Sequence, residues 1–116
     1  MAVSRRSLIG LAVLVLGVST ANTWWAGWNE RQLGAEVARL AQPGDIRMLS
    51  SETCAICAQA RLWFSEHRVA YSECLVERDA ACRQDFEATQ AAGTPVIVVR
   101  GQLQLGFSPQ RLRAAL

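Results

Sequence analysis

The alternation of apolar and polar positions divides the chain into three unequal stretches. Leu8–Val18 is an unbroken apolar or glycine run, preceded by Ser4-Arg5-Arg6-Ser7 and followed by Ser19-Thr20-Ala21-Asn22-Thr23 and Trp24-Trp25-Ala26-Gly27-Trp28. No charge falls between Arg6 and Glu30, and Ser7 to Trp28 is about one bilayer thickness of helix. Residues 1–28 therefore read as one N-terminal hydrophobic helix. Residues 29–44 read as a helical linker: Leu33, Val37 and Leu40 share one narrow face at i, i+4, i+7, and Pro43-Gly44 ends the helix. So narrow a stripe suits a stalk that continues the anchor or lies along a membrane surface.

From 45 to 116 the period changes every few residues, as in a small α/β domain. Asp45–Ser50 predicts a strand through Ile46, Met48 and Leu49, and the apolar spacing from about Cys54 to His67 predicts a helix. Tyr71–Val76 reads as a second strand. Asp79 is placed to N-cap a helix through about Ala92, which Gly93 ends. Val96-Ile97-Val98-Val99 is a buried β-branched strand, Gly101-Gln102 a tight turn, and Leu103–Leu105 the returning hairpin strand. Ser108 caps a last helix with Pro109 at its first position, and Leu112–Leu116 pack back. The order is β-α-β-α-β-β-α, containing a parallel β-α-β unit.

Composition narrows the function. A chain of 116 residues has room for one domain, and without a targeting segment it holds roughly 70 to 90 residues, near the lower limit for a self-sufficient core. The 51% hydrophobic content and mean hydropathy of +0.12 owe much to the N-terminal run. A net charge of +2, with arginines scattered among acids, supplies no basic stripe and no nucleic-acid signal.

The N-terminal run has two readings, a membrane-spanning helix or a secretory signal with Ser19-Thr20-Ala21 as a cleavage site near Ala21. Trp24, Trp25 and Trp28 favour the spanning reading, since indoles settle at a membrane interface. In both, Arg5 and Arg6 remain in the cytoplasm and the domain is carried across, in a bacterium to the periplasm. The membrane is thus a partner of the chain through this segment.

Candidate chemistry lies in the four cysteines. Cys54-Ala55-Ile56-Cys57 stands where the first strand ends and the first helix begins. There the helix dipole and free backbone N–H groups stabilise a Cys54 thiolate, and Cys57, one turn deeper, can resolve a mixed disulfide by attacking the Cys54 sulfur. The same spacing serves half a zinc site or a structural disulfide, but zinc asks for four ligands. The sole histidine, His67, sits at the far end of the helix as an exposed cation near its C-terminus. Thr94-Pro95 before the Val96 strand is either a loop-to-strand junction or a cis bond that sets the Thr94 backbone beside Cys54 for an extended substrate. Cys74 and Cys82 are first read as a structural disulfide, with two inert thiols or a second redox pair as alternatives. The acids Glu73, Glu77, Asp79, Asp85 and Glu87 around them suggest a solvated acidic face.

The order strand, Cys54-x-x-Cys57, helix, strand, helix, Thr94-Pro95-Val96, hairpin, Gly106-Phe107 and closing helix resembles the glutaredoxin branch of the thioredoxin superfamily over 45–116. The resemblance implies a four-stranded mixed sheet flanked by helices. It also implies Cys54 as nucleophile, Cys57 as resolving thiol, Pro95 as a cis-proline, and Arg61 where similar proteins contact glutathione. Two features depart from it. Ser50-Ser51-Glu52-Thr53 lacks the basic residue often found before the motif, and Gly106-Phe107-Ser108-Pro109 replaces a Gly-Gly-x-Asp cradle for the glutathione tail. Gly-Phe-x-Pro instead resembles dithiol redoxins reduced by a thioredoxin-reductase-type enzyme, with Phe107 packing the last helix on the sheet.

The expected activity is thiol-disulfide exchange on protein or small-thiol disulfides outside the cytoplasm. It needs an electron donor and no resident cofactor, with glutathione as a candidate co-substrate. The alternatives are a module that holds a soft ion such as Cu(I) or zinc on the same thiols, and a tethered binding domain with incidental thiols. A reporter fused after Leu116 should be active only outside the cytoplasm; activity confined to the cytoplasm would overturn the topology.

Overall fold

The computed structural model describes residues 2–116 and divides them into two compact units, one up to Gln32 and one of Leu33–Leu116. Helix α1, Arg5–Leu40, runs through the end of the first and the start of the second.

In the first unit, α1 contains a stretch long and apolar enough to cross a membrane, none of it buried inside the protein. This is compatible with an anchor or a signal sequence alike. The two threonines in the uncharged run bond back to the helix: the Thr20 hydroxyl donates to the Leu16 and Gly17 carbonyls, each at 3.0 Å, and Thr23 to the Thr20 carbonyl at 2.9 Å. A hydroxyl bonded back to its own helix carries no unmet polar demand into an apolar medium.

The second unit starts earlier than the change of pattern at Asp45 suggests. Gly34, Val37 and Ala41 are buried, and Leu33 and Ala38 pack against the same cluster. The face read as a stalk is thus part of the domain core. Its narrowness reflects a helix that touches the core with a single row of small and branched side chains. Asp45 closes this corner: its carboxylate accepts the Gln42 N–H at 2.8 Å and an Arg100 N–H at 3.2 Å. The Gln42 hydrogen bond, and then Arg100, hold the Asp45 carboxyl below the usual carboxylate range.

Strands β1 (Ile46–Ser50), β2 (Ser72–Leu75), β3 (Val96–Val99) and β4 (Gln102–Leu105) form one mixed sheet in the order β2-β1-β3-β4. β1 runs parallel to β2 and antiparallel to β3, which pairs antiparallel with β4. Helices α2 (Ala55–His67), α3 (Ala80–Ala88) and α4 (Pro109–Ala115) complete the domain. Because side chains alternate along a strand, the sheet feeds two clusters. Ile46, Met48, Ile97 and Val99 meet Val37, Ala60, Phe64 and Leu112 of α1, α2 and α4. Leu49 and Val96 turn the other way, toward Cys82 and Phe86 of α3. Burial on both sides explains why β3 reads as a continuous β-branched run.

Local chemistry sets the element ends. Asp79 accepts the Ala81 and Cys82 N–H groups at 2.9 and 3.2 Å to open α3, and Ser108 accepts the Arg111 N–H at 3.3 Å ahead of Pro109 to open α4. α3 stops at Ala88, short of the Ala92 expected. The Thr89 hydroxyl donates back to the Phe86 carbonyl at 2.6 Å, and Gln90 turns to φ 56°, which no right-handed helix continues. The hairpin turn is Arg100-Gly101, both at positive φ (48° and 83°), one residue before the pair expected. Two positive φ values in a two-residue loop match the twist of the flanking strands.

His67, expected to be exposed, is half-buried. Its ring lies 4.6 Å from that of Trp63 and fills the space above Gly34, where an added Cβ would fall inside the imidazole. Gly34→Ala should therefore lower the domain's stability by about 1–3 kcal/mol, read as an earlier denaturant midpoint. Gly10→Ala, with nothing within 4 Å of the added carbon, should leave it unchanged.

Candidate functional site

The site forms where β1 hands over to α2. Cys54 is the N-cap of α2, with extended backbone (φ −101°, ψ 107°), and its sulfur accepts the Cys57 N–H at 3.1 Å. A sulfur thus occupies the place of a capping oxygen, where a first-turn N–H has no carbonyl partner. Negative charge is favoured there, so a Cys54 thiolate gains more from this position than a neutral thiol or a disulfide sulfur does. Cys57 is fully buried, Cys54 half-buried, and the two are joined as a disulfide with Cα atoms 5.2 Å apart. An incoming thiolate therefore meets the Cys54 sulfur first.

The second wall is the turn into β3. The Thr94-Pro95 bond is cis, Pro95 is buried, and the Thr94 carbonyl lies 3.5 Å from the Cys54 sulfur. A Cys54 thiol can donate to that carbonyl. The Pro95 carbonyl is occupied by the Gly106 N–H at 2.9 Å, which ties this turn to the end of β4. Ile56, between the two cysteines, is about half exposed beside them.

Other candidates fall into structural networks. Arg61 does not stand free: its Nε donates to both Glu73 oxygens at 2.7 and 2.9 Å. Glu73 also accepts the hydroxyl of fully buried Ser50 at 2.7 Å, so α2, β1 and β2 are laced together one turn beyond Cys57. The acidic face is likewise largely committed. Asp85 pairs with Arg47 at 2.7 Å, Asp79 caps α3, and Glu77 accepts from the Ser51 hydroxyl and the Glu52 N–H. The Ser51 hydroxyl, and with it the Glu52 N–H, hold the Glu77 carboxyl below its ordinary range. Ser50 and Ser51 escape sequence reasoning, because a serine at a strand end or in the loop after it carries no distinct signal until its partner, more than twenty positions away, is known.

Cys74 and Cys82 are joined as a second disulfide, Cα atoms 6.0 Å apart, linking β2 to the first turn of α3. An Arg47 N–H points at the Cys74 sulfur from 3.6 Å. Among the described residues no group of three or more His, Cys, Asp or Glu side chains gathers that could hold a metal ion. Phe107 packs edge-on against Trp63 and Phe64, with ring centres 5.7 and 5.6 Å away. Where the resemblance places a cradle for the glutathione tail, this chain has Gly106 at φ 79° and the Ser108 cap of α4.

Comparison with known proteins agrees with this geometry. The solved structure of the thioredoxin-like protein BC3987 superposes with a TM-score of 0.54 at 28% identity, over 61% of this chain and 99% of that one. A mutant of the same protein gives 0.56 at 26% identity, over 62% and 94%. No curated protein matches. The family model for glutaredoxin matches residues 46–104, from the first strand through the cis-proline turn into β4. With that match spanning half its length, and with a Cys-x-x-Cys disulfide at the helix start of a four-stranded thioredoxin-like sheet, the chain belongs to the glutaredoxin family.

Proposed function

We propose that the domain performs dithiol exchange on protein or small-thiol disulfides outside the cytoplasm, with its N-terminal helix as a membrane anchor. The observation that carries this reading is the Cys54 sulfur at the N-cap of α2, 3.1 Å from the Cys57 N–H and 3.5 Å from the Thr94 carbonyl.

The steps follow from that geometry. In the reduced protein the Cys54 thiolate attacks one sulfur of a substrate disulfide, and the other substrate sulfur leaves as a thiolate that takes up a proton. The substrate is then held by a mixed disulfide to Cys54, its backbone beside the Thr94 carbonyl. Cys57 gives up its proton and its sulfur attacks Cys54. The Cys54–Cys57 disulfide forms, the mixed disulfide breaks, and the second substrate thiol is released. Two electrons have passed from protein to substrate, and a donor dithiol returns them by the same exchange. Run in reverse, the sequence installs a disulfide, with the reduction potential of the Cys54–Cys57 couple setting the direction. Glutathione disulfide is a small-thiol member of this substrate class. The Arg61–Glu73 pair supports a positioning role for Arg61 along α2.

Exposure and capping make the two thiols unequal. Iodoacetamide near neutral pH should label Cys54 of the reduced protein first, at a rate above that of a free cysteine. Cys57→Ser should accumulate a mixed disulfide through Cys54, while Cys54→Ser should trap nothing. Multiple-turnover insulin reduction should fall about tenfold or more in Cys57→Ser, because the resolving attack is lost. Full turnover by Cys57→Ser, or first labelling at Cys57, would contradict the proposal.

A further inference from the structure

The Cys74–Cys82 disulfide closes a ring of chain that lies against the approach to the nucleophile. Cys74 sits in β2 opposite Leu49, and Cys82, eight positions on, is fully buried in the first turn of α3. Between them the chain is tied inward. The Arg78 and Asp79 N–H groups both donate to the Leu75 carbonyl at 3.1 Å, and Arg83 of α3 donates to the Val76 carbonyl at 3.1 Å. The free side of this turn faces the residues that precede Cys54. The Val76 N–H donates to the Ser50 carbonyl at 3.0 Å, and Glu77 accepts the Ser51 hydroxyl and, at 3.3 Å, the Glu52 N–H. Arg78 pairs with the Glu52 carboxylate. Three consecutive residues, 50–52, are thus gripped by three consecutive residues of the ring, 76–78.

Two positions after Glu52 the chain must present Cys54 in extended conformation for its sulfur to cap α2. A slack loop there would let the sulfur swing off the Cys57 N–H, and the thiolate would lose its stabilising donor. Resting on the dithiol reading above, we propose that the Cys74–Cys82 ring, through Glu77, is a positioning element for thiol-disulfide exchange: it holds Ser51 and Glu52 so that Cys54 stays on the N-cap of α2. The charged groups around Glu77 are Arg83 of α3 and the Arg78–Glu52 pair of the two loops. With its carboxyl held below the ordinary range by the Ser51 hydroxyl, Glu77 remains ionised through neutral pH, so the grip does not titrate where exchange is measured.

The test uses the full chain carrying Cys57→Ser, which leaves Cys54 as the one free thiol while mass mapping verifies that Cys74 and Cys82 remain bonded. Iodoacetamide alkylation of Cys54 is followed against pH. Adding Glu77→Ala, or Cys74→Ser together with Cys82→Ser, should move the midpoint of the profile upward. It should also slow alkylation at neutral pH about fivefold, the size of a weakened cap, and leave the high-pH plateau unchanged. Glu77→Gln, which keeps an acceptor for Ser51 and Glu52, should restore most of the rate, and Glu87→Ala should match the parent. The direction is diagnostic, since removing a nearby negative charge would by itself ease thiolate formation and move the midpoint down.

A midpoint that stays in place or moves down in Glu77→Ala overturns the proposal and leaves the ring as a fastening for α3. Should the double serine variant lose its circular dichroism signal, Glu77→Ala with the ring intact decides alone. A parent profile like that of an unperturbed thiol would overturn the dithiol reading itself and this proposal with it. A parent profile shifted to low pH that no variant moves would overturn only the positioning role.

Discussion

The first turn of a helix carries N–H groups with no carbonyl of their own to bond, and here one of them meets a sulfur. Cys54 is placed by β1, held by its own backbone in extended conformation, and aimed at the Cys57 N–H. The charged form of the sulfur gains most from this contact, so the same feature that ends the strand and starts the helix also favours a thiolate. The surrounding structure keeps that junction in place. β1 is buried on both sides, α2 is anchored by Phe64 and Ala60, and the cis Thr94-Pro95 turn brings a carbonyl to the other side of the sulfur.

The two faces of the sheet are secured by different means. One is covered by three helices and an aromatic group in which Phe64 stacks on Tyr71, ring centres 4.4 Å apart, and meets Trp63 and Phe107 edge-on. Burial there raises the Tyr71 phenol pKa, with the charge of Glu73 adding to it. The other face is covered by α3 alone, a helix of nine residues of which only Cys82 is fully buried. So little apolar surface holds a short helix weakly, and the link to Cys74 with the Arg47–Asp85 pair supplies the rest. The exposed ion pair contributes at most about 1 kcal/mol, so the covalent link dominates.

Much of the domain was legible because its signals are local. The strand-to-helix position of Cys54, the caps at Asp79 and Ser108 and the β-branched run of β3 each depend on neighbours within four residues. Errors arose where a local signal was incomplete. The end of α3 turned on a threonine hydroxyl bonding backward and a glutamine at positive φ, neither of which composition reveals. The 29–44 stripe was correctly helical, yet whether it faced water, membrane or protein depended on a surface assembled from β1, α2 and α4.

By itself the sequence determined the long apolar helix at the N-terminus, the α/β order and the pair of thiols at a helix start. Periodicity and capping act over one or two turns of chain, so residue order alone encodes them. Tertiary structure alone decided that Val37 belongs to the core, that His67 lies over Gly34 against Trp63, and that Arg61 is committed to Glu73. It also decided that Cys74 and Cys82 meet and that Glu77 reaches the loop before Cys54. The reason is geometric: Arg61 meets Glu73 across 12 positions and Glu77 meets Ser51 across 26, and even the eight between Cys74 and Cys82 include a turn. A side chain's type states what it can bond, but only the register of the strands and the seating of the helices select its partner.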